Sequence, residues 1–269
     1  MTITEIAGYF GAAAIGISLG LIGGGGSILT VPVLVYLMGV EPILATAYSL
    51  FIVGFSALIG GINYARKGLV SYKTGIVFTI PAFAAVYLTR LLLVPALPEV
   101  WFTSGSFTLT KDTGILLLFA FLMVFASVSM IRKEKIQHGH TDKGEQKFNY
   151  PMIIIEGIVV GTLTGLVGAG GGFLIIPALV IFAKLPMKMA VGTSLLIIAV
   201  KSLIGFVGDV QADAPINWAF LAIFSLVAIA GIFLGSYLAH SIDGQKLKRG
   251  FGWFVLVMGA FMIVKELLF

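Results

Sequence analysis

The chain has 269 residues, 59% of them hydrophobic and only 11% charged, with a mean hydropathy of +1.08. An ordinary soluble domain is roughly 25% charged, and 17 basic plus 12 acidic side chains cannot supply the polar exteriors that soluble domains of this total length would need. The chain is therefore read as residing in a lipid bilayer, with no room for a large soluble receptor or enzyme head.

Cysteine is absent, which excludes disulfides, thiolate metal sites, haem attachment and thiol catalysis. The pI of about 9.4 is taken as a membrane-orientation signal rather than as a nucleic-acid surface. The start, MTITEI, lacks the positive region of a cleavable signal, so none is expected.

A hydrocarbon core of about 30 Å takes about 20 helical residues per crossing. Apolar stretches cover residues 6–38, 43–65, 72–94, 112–131, 152–183, 189–208, 216–239 and 251–268. Six have the length of one crossing. The first and fifth are too long, and glycines break them at residues 23–26 and 168–172.

Thirteen of the 17 basic residues fall in four short connections, at residues 66–73, 132–147, 184–188 and 246–249. Placing these connections in the cytoplasm forces residues 6–38 and 151–183 each to enter and return as a helical hairpin or re-entrant pair. Glu41, Glu99, Asp112, Asp209 and Asp213 then fall on the outer side.

The segment GLIGGGGSILTVPVLV (residues 20–35) aligns without a gap to GLVGAGGGFLIIPALV (165–180), an offset of 145, and residues 16–60 share 17 identities in 45 positions with the second copy. The chain is thus read as a duplicated unit. Its fold class is an all-α polytopic membrane protein with an inverted-topology repeat, each half a glycine-broken hairpin plus three transmembrane helices. Residues 1–131 form the first repeat, 132–150 a basic cytoplasmic linker and 151–269 the second, inverted repeat. Inverted repeats with discontinuous helices at matching places characterise secondary transporters, which hold substrate near the midplane.

Glycine runs are costly in hydrocarbon unless the freed backbone is buried in protein or lines a wet cavity. Helices restarting at about Ser27 and Gly172 would present unpaired N–H groups and positive dipole ends to an anion. Pro32 and Pro177 sit early in the restarted helices, where a missing N–H is best tolerated. The alternative is close helix packing through small residues. A dinucleotide loop is a poor reading, since no strand–glycine–helix unit is present.

After each hairpin, Ala45, Ser49, Ser56 and Gly60 lie along one helical face, and Ala190, Ser194, Lys201 and Gly205 along its counterpart. Lys201 stands about 18 Å from the inner end of its helix at 1.5 Å per residue, beyond snorkelling range. It is therefore a candidate to neutralise an anionic substrate or to titrate during transport. Arg90 is expected at the outer interface, snorkelling. Glu156 suits the positive end of a helix start.

His138 and His140 have no further strong ligand beside them, so neither a metal site nor a cofactor is expected. His240 and the three tryptophans, Trp101, Trp218 and Trp253, are read as interfacial.

The paired signatures GLIGGGGSILTVP and GLVGAGGGFLIIP, followed by TAYSLF (46–51) and GTSLLI (192–197), resemble the sulfite exporter TauE/SafE family of bacterial permeases over nearly the whole chain. The resemblance implies outward secondary transport of small sulfur-containing anions, sulfite or organosulfonates, across the cytoplasmic membrane. Carried over by position, the substrate site would comprise Gly23, Gly24, Gly25, Gly26, Ser27, Ser49, Gly168, Gly170, Gly171, Gly172, Thr193 and Ser194, to which the sequence reading adds Lys201. Tyr48 stands where the second half has Thr193, so the halves would contribute unequally, with Tyr48 a phenol donor or a gate.

A passive anion channel and a non-transporting membrane assembly protein are the competing readings. An intramembrane enzyme using Ser194 lacks a base, because all three histidines lie in loops, so no catalytic residue is assigned. The expected partners are the bilayer, a small anion and a coupling ion, proton or Na⁺. No midplane carboxylate marks that ion, and oligomeric state is not legible.

Overall fold

A computed structural model describes residues 3–22, 24–104, 107–131, 150–181, 183–238 and 244–268. The linker 132–149, with His138 and His140, lies outside the described residues, as do Gly23 and His240.

Helix α1 (Ile3–Ile22) gives way to a 3-10 stretch, Gly24–Leu29, then to α2 (Thr30–Pro32) and a π-helical turn, Val33–Leu37. Helix α3 (Pro42–Arg66) carries proline in its first turn, where the absent N–H is tolerated. Helix α4 (Tyr72–Leu88) runs into a second π turn, Thr89–Leu93, and α5 (Val94–Ala96). A short antiparallel pair, β1 (Val100–Ser104) and β2 (Phe107–Thr110), leads to α6 (Lys111–Ile131).

The second half repeats the order: α7 (Tyr150–Val167), α8 (Gly172–Ile181), α9 (Met187–Gln211), α10 (Trp218–Leu238) and α11 (Gly244–Leu268). Among the described residues, seven helices are long and apolar enough to cross a membrane: α1, α3, α4 with its continuation, α6, α9, α10 and α11. At 1.5 Å per residue the 10 residues of α8 span about 15 Å, half of a hydrocarbon core. The arm that follows each glycine break is thus shorter than the helix before it.

Packing exchanges elements between the halves. α1 lies on α10, and its counterpart α7 lies on α4; α3 packs against α9 and α6 against α11. The first two contacts are made by glycines. A Cβ added to Gly16 would stand 2.9 Å from the Cα of Gly231, and one on Gly20 2.9 Å from the carbonyl carbon of Gly235. On the other side, Gly157, Gly161 and Gly165 of α7 meet Pro81, Ala82 and Thr89. Small residues four apart allow backbones to approach where lipid provides no hydrophobic drive. The glycines inside these helices therefore serve close packing.

Candidate membrane substrate site

The second break is set by backbone conformation. Gly168, Gly170 and Gly171 take φ of +69°, +63° and +69°, a left-handed region that side chains with a Cβ rarely adopt. This turn ends α7 and lets α8 begin at Gly172, as expected from the sequence, with the amides of Leu174 and Ile175 bonding back to the Gly171 carbonyl at 3.0 Å.

The first break differs. No α-helix restarts at Ser27: residues 24–29 form a 3-10 stretch in which Ser27 Oγ donates to the Gly24 carbonyl at 2.7 Å, and α geometry resumes only at Thr30. Three successive glycines favour α-helix poorly. Proline also falls late here, Pro32 being the last residue of α2 rather than an early one.

The two breaks touch. A Cβ on Gly24 would be 2.5 Å from the Cα of Gly172, and one on Gly170 would be 3.2 Å from Ser27 Cβ. A Cβ on Gly171 would meet Thr164 and stand 2.8 Å from Lys201 Nζ. Lys201 is fully buried, and its ammonium donates to Thr164 Oγ1 at 2.7 Å; that hydroxyl in turn donates to the Gly161 carbonyl at 3.2 Å. Lys201 has no carboxylate partner among the described residues. Gly24, Ser27, Gly170, Gly171, Gly172 and Lys201 therefore form one constellation, to which the structure adds Thr164.

Tyr48, Thr193, Ser194 and Gly168 bond or pack against other groups. Tyr48 and Thr193, at matching positions, do matching work. The Asn217 amide, just before α10, donates to the Tyr48 hydroxyl at 2.7 Å, and the Ser71 amide, just before α4, donates to Thr193 Oγ1 at 2.9 Å. Each central helix thus holds the start of a helix from the other half. Tyr48 also lines a cleft of about 530 Å³ with Glu5, Tyr9, Glu41, Asn217 and Phe220. Ser194 Oγ donates to the Val191 carbonyl of its own helix at 2.8 Å, whereas Ser49 Oγ is buried without a partner. Gly25 and Gly26 lie in the 3-10 stretch, and Gly168 packs against the Thr46 backbone.

Arg90 is a correction. It does not snorkel at an interface but is 0% exposed, in the π turn that continues α4. The side chain turns inward because a carboxylate, a hydroxyl and a backbone carbonyl from α9, α3 and α7 meet it there, partners that a position counted along one helix does not show. Arg90 Nε donates to Asp209 Oδ1 and Oδ2 at 2.7 and 2.9 Å, and Nη1 to Thr46 Oγ1 and the Gly165 carbonyl at 2.8 and 3.0 Å. Nη2 stands 2.6 Å from Oδ1 but off the hydrogen-bonding direction.

Asp209, expected on the outer surface, is 5% exposed. Glu156 is in the second turn of α7, because that helix begins at Tyr150, too far along to serve its positive end.

Lys201 and Arg90 bind adjacent residues, Thr164 and Gly165, in the last turn of α7 before the break. Cations suit the negative end of a helix. Counting Asp209, this buried group carries a formal charge of +1, and the excess sits on Lys201 in contact with the break.

Long apolar helices, two glycine breaks in contact and a buried cation beside them are the architecture of a polytopic membrane transporter. The sequence matches the family described as Sulfite exporter TauE/SafE over residues 9–262, and the chain belongs to that family. It is similar to probable membrane transporter proteins of Xylella fastidiosa (strain 9a5c), 30% identical over 98% of this chain and 97% of that one, and of Methanocaldococcus jannaschii, MJ0441, 35% identical over 93% and 92%. Probable membrane transporter protein YunE of Bacillus subtilis (strain 168) is 30% identical over 85% of each chain. No solved structure matches.

Proposed function

We propose that the chain is a secondary transporter that exports a small sulfur-containing anion, sulfite or an organosulfonate, by alternating access. Residues 1–131 and 151–269 act as two inverted halves joined by a cytoplasmic linker at 132–150. The anion is held where the breaks meet, by the Lys201 ammonium and the first backbone N–H groups of α8, ahead of the Leu174 and Ile175 amides that bond to Gly171. The carrying observation is Lys201: a fully buried cation with no carboxylate partner among the described residues, beside Gly171, whose lack of a side chain leaves open the space next to the ammonium. A buried charge without a counter-ion is expensive, and an anionic substrate would supply the missing one. The reciprocal packing of the halves supports exchange between two related arrangements.

The test is counterflow of labelled isethionate or sulfite in vesicles reconstituted with purified protein. Wild-type counterflow should saturate, and Lys201→Met should lower affinity at least about tenfold, since a charged hydrogen bond is worth about 1.5–3 kcal/mol. Undiminished transport by Lys201→Met would remove the anion site from this position. Flux that never saturates would instead favour a passive channel.

A further inference from the structure

Arg90 and Asp209 are 119 residues apart in sequence, and Arg90 binds groups from both halves: Thr46 of α3 in the first, Gly165 of α7 and Asp209 of α9 in the second. A rearrangement that moves α4 and its continuation relative to α7 and α9 stretches this cluster. Breaking a buried ion pair without neutralising a partner strands a charge in a medium of low dielectric, which is strongly unfavourable. A group that moves must therefore first lose its charge, and of the two only the carboxylate can, because a guanidinium is not deprotonated in proteins.

We infer that Asp209 is the proton acceptor of transport, and that its protonation releases Arg90 so that a proton and an anion cross together, outward whenever the outward anion gradient exceeds the inward proton gradient. The inference rests on the anion-transport reading above. The balance is simple: one proton from water adds to the Asp209 carboxylate and no other bond changes. The buried group of Lys201, Arg90 and Asp209 then rises from +1 to +2, and a bound monoanion returns it to +1. Proton and anion thus favour each other's binding by linkage, and the loaded protein carries no added charge.

The geometry favours a proton over Na⁺. A metal ion needs several free oxygen ligands, whereas both Asp209 oxygens, Thr46 Oγ1 and the Gly165 carbonyl already accept from Arg90. Among the described residues no cluster of metal-binding side chains occurs. A proton needs only a path, and Asp209 lies two residues before the exposed end of α9 at Gln211.

The other titratable groups around α9 leave Asp209 as the coupling group. The π turn contributes Arg90; α4 contributes Tyr72, Lys73 and Tyr87, the last bonded to Gln211; α3 contributes Tyr48, Tyr64 and Arg66; α8 and residues 24–29 contribute none. On α9 itself, Lys201 is two turns away at the break, Lys188 is at the opposite end, and Asp213 follows in the next loop.

The experiment uses full-length protein in vesicles with an interior pH dye and labelled isethionate. A sulfonate is chosen over sulfite because sulfonic acids stay ionised at working pH and cannot carry the proton through lipid themselves. In wild type, an inward proton gradient should drive isethionate accumulation toward a limit of about tenfold above its external level for each pH unit of gradient, with proton uptake one for one, and a membrane potential of either sign should not. Asp209→Asn, which imitates the protonated state, should show counterflow without response to the pH gradient, and Asp209→Glu should restore the response.

Should Asp209→Asn fold poorly, the neutral pair Arg90→Gln with Asp209→Asn removes the stranded cation and should likewise show no pH-driven accumulation. A gradient response that survives in either variant overturns the inference and leaves anion transport standing. If wild type exchanges no anion, the transport reading fails, and an infrared titration then decides this one separately. A protonated-carboxyl band that Asp209→Asn lacks, and that isethionate moves to higher pH, supports it; absence of that band, or no response to anion, overturns it.

Discussion

Replacing Gly171 by alanine probes the meeting of the two breaks most directly. The substitution has two effects. It places a Cβ in the left-handed region, at φ +69°, for about 1–2 kcal/mol. It also sets that carbon against Thr164 and 2.8 Å from Lys201 Nζ, where overpacking adds about 1–3 kcal/mol.

Gly68 separates the two effects, because its φ is +68° and a Cβ there would meet nothing within 4 Å. Gly68→Ala should therefore lower stability by the backbone effect alone, and Gly171→Ala by about 1–3 kcal/mol more. If the new methyl displaces the ammonium from Thr164, the loss of that charge-assisted bond adds about 1.5–3 kcal/mol, and isethionate affinity changes as well. Reversible unfolding in mixed detergent micelles measures the stability difference, and anion-dependent protection in the same assay measures the site. Equal stability of the two variants within about 0.5 kcal/mol, with unchanged anion protection, would refute the crowded geometry.

Two further outcomes follow from contacts between the halves. Tyr48→Phe and Thr193→Val each remove one acceptor and leave a backbone amide unpaired, Asn217 and Ser71 respectively, so each should cost about 1–3 kcal/mol. Hydrogen exchange should quicken at the corresponding amide in each case, and exchange that stays slow would mean that the caps are not made. Arg90→Met or Asp209→Leu alone should destabilise by about 3–5 kcal/mol, whereas the double variant should recover most of the loss. Additive losses in the same unfolding assay would show that the pair is not coupled.

How far the site was legible can be followed residue by residue. The glycine runs and Lys201 stand out because each violates what a lipid-spanning helix tolerates. Glycine is a poor helix former, and a mid-membrane ammonium is rare. Arg90 gave no such signal, since an arginine near a helix end ordinarily snorkels, and the partners that meet it come from other helices. Tyr48 looked like a departure from Thr193, yet both side chains accept one bond at equivalent places, because the longer phenol reaches the same kind of amide.

The amino-acid sequence by itself determined the solvent, the helical class, the two breaks and the internal likeness of the halves. These are properties of local hydropathy and backbone preference, which each segment carries wherever it packs. The tertiary structure alone decided which break touches which, that α1 lies on α10 while α7 lies on α4, and that Arg90 faces Asp209. Such pairings depend on how surfaces far apart in the chain fit together, and in an apolar chain most helix faces satisfy lipid and protein alike. The rotation of each helix is therefore fixed by close glycine contacts and by the few buried charges that must find partners, and neither tells from the sequence which helix the partner is.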